Sequence, residues 1–211
     1  MKNIPMFTTE YGVATLVLKE IPYRNLSYIL IRASEQPKEL IEECSSFCRA
    51  CGAEHLYATG HEYLEHYPLH SVIYEMQMEA RADESQVESL WPVTEQTVGK
   101  WRQICNERMR SVDNAATQEA ADEKQILESG GAYFVHREGE LLGIGWISKG
   151  ELLVVASCVP GAGERVMHTL MSLMPGETMK LEVVSTNTRA IRLYERLGFV
   201  KTRERSRWYK I

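Results

Sequence analysis

The order of apolar segments and turns in the second half of the chain constrains its fold more than any other feature. Short runs rich in Val, Ile, Leu and Tyr predict strands, and apolar residues at helical spacing predict helices. From residue 90 onward the predicted order is β, α, α, β, β, β, α, β, α, β, β. Such an order predicts an α/β fold in which a mixed sheet carries helices on its faces.

The first half shows a weaker copy of part of this order. Residues 13–31 predict a two-stranded hairpin, residues 37–51 predict a helix, and strands follow it. Three identities align the halves at one constant offset, Ala33, Ser34 and Pro37 matching Ala156, Ser157 and Pro160. Residues 1–84 are therefore interpreted as a degenerate half-copy of residues 88–211 that binds no cofactor, with chance identity as the alternative.

Composition and charge exclude several classes of protein. The 211 residues are 44% hydrophobic and 25% charged, which is typical of a globular protein with a real core. A net charge of −5 gives no basic surface for general nucleic-acid binding. Neither a secretion signal at the start nor an apolar run of about 20 residues is present, so we expect a cytoplasmic protein without membrane contact.

The cysteines and histidines are interpreted as structural. Cys44, Cys48 and Cys51 share one helical face, where buried small apolar side chains are the favoured interpretation. A metal site completed by His55 is the alternative, and redox or surface roles stay open. The stretch from His61 to His70 is expected to be a surface or interface segment rather than a metal site.

The turn "CVPGAGERV" lies between an apolar strand and a helix. Gly161 and Gly163 would let backbone N–H groups approach a ligand, and the start of the helix favours an anion such as a diphosphate. When the turn is considered alone, a glycine pair between a strand and a helix more often reflects plain turn chemistry.

The helix "TRAIRLYERL" follows the next apolar strand. Asn187, Ala190 and Tyr194 fall on one helical face, and Gly198 ends the helix. An Asn cap and a tyrosine at the rim of the core account for the helix in isolation. They do not account for its position one strand after the glycine turn.

Together, this turn and this helix resemble the acetyl-coenzyme A (acetyl-CoA) site of the GNAT N-acetyltransferases, and the resemblance covers about the last 120 residues. It implies a largely antiparallel central sheet in which parallel strands 152–157 and 179–185 splay apart. It also implies that Tyr194 is the catalytic acid and that acetyl-CoA, with no metal, is the donor. The residues implied to bind the donor are Ser157, Cys158, Gly161, Ala162, Gly163, Glu164, Arg165 and Asn187.

This chain departs from the family pattern at one position. Cys158 stands where that pattern has Arg or Gln, and Glu164 adds a negative charge that Arg165 offsets if its side chain turns back. The general base stays open among Glu151, Glu182 and His136.

The resemblance implies direct acetyl transfer to a primary amine of a small molecule or a peptide. A catalytically silent acyl-CoA-binding or interaction module is the alternative, motivated by Cys158. A homodimer is left open.

Overall fold

A computed structural model of the protein describes residues 6–79, 87–174, 176 and 178–211. These residues form two compact units, the first comprising the chain up to Ile73 together with Glu204–Ile211, and the second comprising Tyr74–Arg203. The domain boundary expected between residues 84 and 88 falls largely on residues 80–86, which lie outside the described residues.

The first unit is built around a sheet that one helix covers. Its elements are β1 (Met6–Thr9), β2 (Gly12–Val17), α1 (Ile21–Arg24), β3 (Leu26–Ser34), α2 (Pro37–Ala50), β4 (His55–Thr59) and a 3-10 helix at Glu62–His66. The predicted hairpin is confirmed, because β2 and β3 pair antiparallel. Helix α2 then leads to β4, which pairs parallel to β3, and it buries Leu40 and Ile41 in the core of this unit.

Two long strands have residues in both units: β5 (Leu69–Glu79) and β11 (Val200–Lys210). The sequence predicts two separate strands after Phe199, and that prediction is wrong. The predicted strands cover residues 199–204 and 207–211, and the polar residues between them, Arg205 and Ser206, continue the strand. Residues 200–205 are all exposed, so both faces of β11 are solvated there and no apolar residue is needed. Polarity alone therefore does not mark a turn.

The second unit contains the remaining elements. They are β6 (Ser89–Pro92), α3 (Val98–Met109), a 3-10 helix at Ala120–Asp122, α4 (Glu123–Ser129), β7 (Ala132–Arg137), β8 (Glu140–Ser148), β9 (Glu151–Ser157), α5 (Gly163–Met171), β10 (Thr178–Val184) and α6 (Thr188–Leu197). The strand order is β11-β5-β10-β9-β8-β7-β6. Strands β6 to β9 form an antiparallel meander, and β10 pairs parallel to β9.

Helices cover both faces of this sheet. On one face Leu142 packs in a core with Val166 and Leu170 of α5. On the other face Ile144 packs in a core with Trp101 of α3 and its neighbours. The predicted fold class, a mixed and largely antiparallel sheet with helices on both faces, is therefore confirmed.

The second acidic helix is shorter than the sequence predicts. The pattern of residues 116–129 predicts a helix throughout, whereas α4 begins only at Glu123. A capping box precedes it, in which the carboxylate of Asp122 accepts a hydrogen bond of 2.8 Å from the N–H of Glu119. This reciprocal cap starts helical structure at residue 120 and leaves the upstream residues non-helical.

The cysteines behave as the sequence indicates, with one exception. Cys44 and Cys48 are fully buried, which confirms the apolar interpretation, but Cys51 is exposed. Within the described ranges, no group of three or more His, Cys, Asp or Glu side chains is arranged to hold a metal ion. None of the described helices is long and apolar enough to cross a membrane.

Helix α5 lies directly on the backbone of β8. A β-carbon at Gly145 would overlap the Leu170 side chain, and one at Gly143 would lie 2.8 Å from a methyl carbon of Val166. These two glycines therefore set the height of α5 above the sheet, and with it the height of the turn that enters α5.

We expect Gly145→Ala to destabilise the protein by about 1–3 kcal/mol, because the new methyl group overpacks the core against Leu170. Gly99→Ala is the control, since a β-carbon there would lie 3.7 Å from the Glu123 carboxylate, an ordinary contact. Urea unfolding measures both changes. A Gly145→Ala protein as stable as wild type would show that this close approach is not required.

A hydrogen-bonded carboxylate joins β5 to β11 within the second unit. Glu75 accepts two hydrogen bonds from the Arg203 guanidinium, at 2.7 and 3.1 Å, and one of 2.7 Å from the Gln77 amide. The hydrogen bonds from Arg203, and next the one from Gln77, lower the pKa of Glu75 to about 2.

This lowered pKa predicts a pH-dependent contribution to stability. The contribution is fully present above the pKa of about 4.5 expected in the unfolded chain, and it is lost as the pH falls from there toward 2. The stability difference between wild type and Glu75→Gln, from urea titrations, should be constant from pH 6 to 8 and shrink below about 4.5. Glu195→Gln, which removes an exposed ion pair of 3.8 Å with Lys201, should show a smaller effect.

Candidate functional site

Strands β9 and β10 run side by side for only two residue pairs. Lys180 pairs with Glu151 and Leu181 with Leu152, and the register goes no further although both strands are described throughout. From residue 154 to residue 157, the edge of β9 that faces β10 thus has no strand partner among the described residues. The splayed parallel pair that the family resemblance implies is confirmed by this geometry.

A β-bulge stands where the two strands part. Along β8, Ile147 faces Leu152 and the preceding Trp146 faces Val154, which leaves Leu153 as the extra residue of β9. A bulge bends its strand and increases the local twist. The bend carries the rest of β9 away from β10, and Leu153 itself is 44% exposed.

The first unit contains the same strand, helix, strand arrangement with a longer pair. Strands β3 and β4 stay paired over five positions, from Leu26 with His55 to Leu30 with Thr59. The bulge in β3 falls at Arg32, two residues beyond that paired segment. In both units the parallel pairing thus ends one or two residues before the bulge: at Leu152 before Leu153 in β9, and at Leu30 before Arg32 in β3.

The turn from β9 to α5 exposes main-chain amides. Gly161 has a φ of +81°, which is the left-handed region where glycine carries no steric cost. Ala162 is the N-cap residue of α5, and no side chain caps the helix. The first amides of a helix have no partner within it, so this turn and the helix dipole together favour an anion.

The charged residues of this turn are already engaged. Glu164 lies 3.9 Å from His168 and 4.0 Å from Arg196, so those two basic residues flank it. The Arg165 guanidinium lies 3.7 Å from the buried carboxylate of Glu88. The condition under which Arg165 would offset Glu164 is not met, because the Arg165 side chain points to the buried Glu88 carboxylate instead of turning back.

Gly163 has a packing role. A β-carbon there would lie 3.3 Å from a methyl carbon of Leu193, which shows how closely α5 approaches α6. Ser157, the last residue of β9, is half-buried and pairs with Gly143 of β8.

Sequence reasoning missed one residue at the turn. Arg108, from the last turn of α3, donates a hydrogen bond of 2.9 Å to the carbonyl oxygen of Cys158. Burial raises the pKa of the Cys158 thiol, and the nearby Arg108 acts in the opposite direction. Basic residues are common in the last turn of any helix, so the sequence carries no signal for this contact.

Asn187 caps α6 as predicted. Its side-chain oxygen accepts a hydrogen bond of 3.2 Å from the N–H of Ala190, and Gly198 ends the helix in a left-handed conformation. The preceding Thr186 donates a hydrogen bond of 2.7 Å to Asp113, from the loop that follows α3. The loop after α3 is thereby attached to the end of β10.

Tyr194 lies two turns further along α6. The residue is half-buried against the core under α5, and its ring centroid lies 6.0 Å from that of Phe199. Burial raises the pKa of its phenol to about 12. At neutral pH Tyr194 is therefore a neutral hydrogen-bond donor.

The three candidate bases lie at different places. Glu151 is half-buried at the start of β9, where β9 pairs with β10, and Glu182 is exposed on β10. His136 lies on β7, two strands from β9, which corresponds to about 10 Å. Both of its ring nitrogens are buried without a hydrogen-bond partner among the described residues, and its ring lies 5.0 Å from that of Trp91.

We expect Asn187→Ala to destabilise the protein by about 1 kcal/mol, because α6 loses its side-chain cap. Asn187→Ser keeps a capping oxygen and should stay within a few tenths of a kcal/mol of wild type. Urea unfolding of the two variants checks this. Equal losses for both would show that Asn187 contributes something other than the cap.

Comparisons with known proteins agree with this geometry. The family model described as "FR47-like protein" matches residues 161–209, from the glycine turn into β11. No curated protein matches the chain.

Several solved structures resemble the whole chain. A GCN5-related N-acetyltransferase from Sphaerobacter thermophilus is 11% identical with a TM-score of 0.60, and the match covers 94% of this chain and 76% of that one. One from Kribbella flavida is 16% identical with a TM-score of 0.54, covering 97% and 88%. A protein from Staphylococcus epidermidis, described as functionally unknown, is 11% identical with a TM-score of 0.60, covering 98% and 94%. At these identities the likeness concerns the fold: this chain has the fold of the GCN5-related N-acetyltransferases.

Proposed function

We propose that this chain transfers an acetyl group from acetyl-CoA directly to a primary amine. The observation that carries the proposal is the divergence of β9 and β10 after Leu152. An uncapped glycine turn follows β9, and α6, which follows β10, carries Tyr194. The fold of an acetyltransferase family makes this combination meaningful, since neither the turn nor the tyrosine points to acyl transfer when taken alone.

The donor fits the backbone of this region better than its side chains. From residue 154 to residue 157, the β9 edge offers strand-like hydrogen bonding to the amides of a pantetheine arm. The N–H of buried Ala162 already donates to the Val159 carbonyl at 3.2 Å, so Gly161 and Gly163 are the turn residues proposed to offer N–H groups to the diphosphate. A β-carbon at Gly161 would meet no atom within 4 Å, which leaves open space there. Arg165 fits the predicted role of a phosphate contact only if it leaves Glu88.

The chemistry requires three things of the site. A neutral amine attacks the thioester carbonyl, the C–S bond breaks as the amide forms, and the departing thiolate ends as a thiol. The proton that the thiol gains is balanced by the one that the amine nitrogen loses. Glu151 and Glu182 are the candidates to receive the amine proton, and Glu182 is the more exposed.

Tyr194 is proposed to act on the thiolate. A phenol with a pKa of about 12 is a much weaker acid than an ordinary thiol with a pKa of about 8.5, so complete proton transfer to the thiolate is uphill. A hydrogen bond from the Tyr194 hydroxyl to the sulfur as negative charge develops there is favourable. Tyr194 thus stabilises the leaving group through this hydrogen bond. If the Tyr194 hydroxyl gives its proton to the thiolate, the proton that the amine nitrogen loses balances it.

One observation favours the second candidate function, a catalytically silent acyl-CoA-binding module. Cys158 offers no charge where a donor diphosphate would lie, and burial raises the pKa of its thiol. Such a module would bind the donor through the same backbone groups, without needing the Tyr194 hydroxyl.

Tyr194→Phe tests the proposal. We expect acetyl-CoA to bind wild type and variant equally in calorimetry, because the hydroxyl is needed only once charge develops on sulfur. The turnover number, from thiol release with a panel of primary amines, should fall about 10²-fold or more. Tyr133→Phe is the matched control, since its hydroxyl contacts only the Gly130 carbonyl, at 3.3 Å, among the described residues.

The outcomes separate the candidates. Binding of acetyl-CoA with no thiol release from any amine, and no effect of Tyr194→Phe, would support the silent module. Absence of acetyl-CoA binding at millimolar ligand, seen as an unchanged melting temperature, would overturn both.

A further inference from the structure

The turn between β9 and α5 has few cations that are able to meet a diphosphate. Cys158 begins the turn with a neutral thiol, and its N–H already donates to the Leu142 carbonyl at 2.7 Å. Glu164 is flanked by its own partners. Arg165 faces Glu88, whose side chain is only 5% exposed, and moving Arg165 away would leave that buried carboxylate with Arg137 alone, at 3.8 Å, among the described cations.

Arg108 is placed differently. Its guanidinium reaches the first residue of the turn from outside, donating from Nη2 to the Cys158 carbonyl at 2.9 Å. Among the described residues its one hydrogen bond goes to the Cys158 carbonyl, and its charge acts to lower the pKa of the Cys158 thiol. A guanidinium has five N–H donors in a fixed fork, so most of its donors are available to a ligand. Arg108 is also exposed, so reaching an anion does not require breaking a buried ion pair.

The position of Arg108 is supported from both sides. Before it, Trp101, Ile104 and Cys105 of α3 are buried in the core that includes Val154 and Ala156 of β9. After it, Asp113 accepts the hydrogen bond from Thr186 at the end of β10. The segment that carries Arg108 is therefore attached near the ends of both diverging strands.

We propose that Arg108 is the arginine that binds the diphosphate of the acyl-CoA donor, taking the part that the side chain at position 158 cannot play. The inference rests on the proposed function and adds to it a residue from α3, 50 positions before the turn. Arg108 holds the Cys158 carbonyl through one nitrogen and presents the others to the phosphate oxygens. Charge-assisted hydrogen bonds of this kind are the stronger ones, and the fork of arginine suits phosphate.

Calorimetry with two donors tests this inference. Acetyl-CoA carries the diphosphate, whereas S-acetylpantetheine lacks every phosphate and keeps the thioester arm. We expect Arg108→Gln to raise the dissociation constant of acetyl-CoA about tenfold or more and to leave that of S-acetylpantetheine unchanged. Arg110→Gln is the matched control, because it removes the same charge from an exposed residue two positions along the chain.

Each outcome has one meaning. If Arg108→Gln raises the dissociation constants of both donors equally, Arg108 has a structural role in shaping the turn and the inference is overturned. Unchanged acetyl-CoA binding by Arg108→Gln would also overturn the inference. Both results leave the proposed function intact. A wild type that binds inorganic diphosphate in an Arg108-dependent way but not acetyl-CoA supports the anion contact and overturns the proposed function. A wild type that binds neither overturns both. If Arg108→Gln lowers the melting temperature, Arg108→Lys is measured instead. The inference is overturned if the ratio of the dissociation constants of acetyl-CoA and S-acetylpantetheine is the same for Arg108→Lys as for wild type.

Discussion

The bulge at Leu153 is the constraint on which the candidate site depends. It ends the parallel pairing of β9 and β10 after two residue pairs, and so opens a row of main-chain groups that a regular sheet would have used. In the first unit the bulge at Arg32 comes later along its strand, and β3 and β4 stay paired over five positions. The same strand, helix, strand order thus gives two parallel strands that stay paired or two that diverge, and the position of the bulge residue decides which.

The packing of α5 determines where the opening meets the glycine turn. Gly143 and Gly145 let the helix lie on β8, and Gly163 lets it approach α6. Both close approaches are possible because glycine has no side chain. The first turn of α5 is thus held by van der Waals packing rather than by a cap. Its amides consequently remain available for a ligand.

The charges around the turn depend on contacts that form only in the folded protein. Glu164 is an unfavourable neighbour for phosphate, yet His168 and Arg196 lie close to it. Arg165 looks favourable, yet Glu88 holds it. The guanidinium in contact with the start of the turn comes from a different helix. The charge distribution at the turn is therefore a property of the folded surface rather than of the motif.

The sequence by itself determined the element order, the caps of α6 and the glycine turn, because periodicity, capping and turn chemistry act between residues that are near in the chain. The expectation of a splayed pair came from the family resemblance that this turn and this helix carry. It missed the continuity of β11, where solvated residues need no apolar pattern, and the late start of α4. Only the tertiary structure decided the bulge position, the pairing of Arg165 with Glu88 and the contact of Arg108 with Cys158. The two side-chain contacts join residues that are far apart in the chain, and the packing of helices on the sheet, which no local pattern encodes, decides where such distant groups meet.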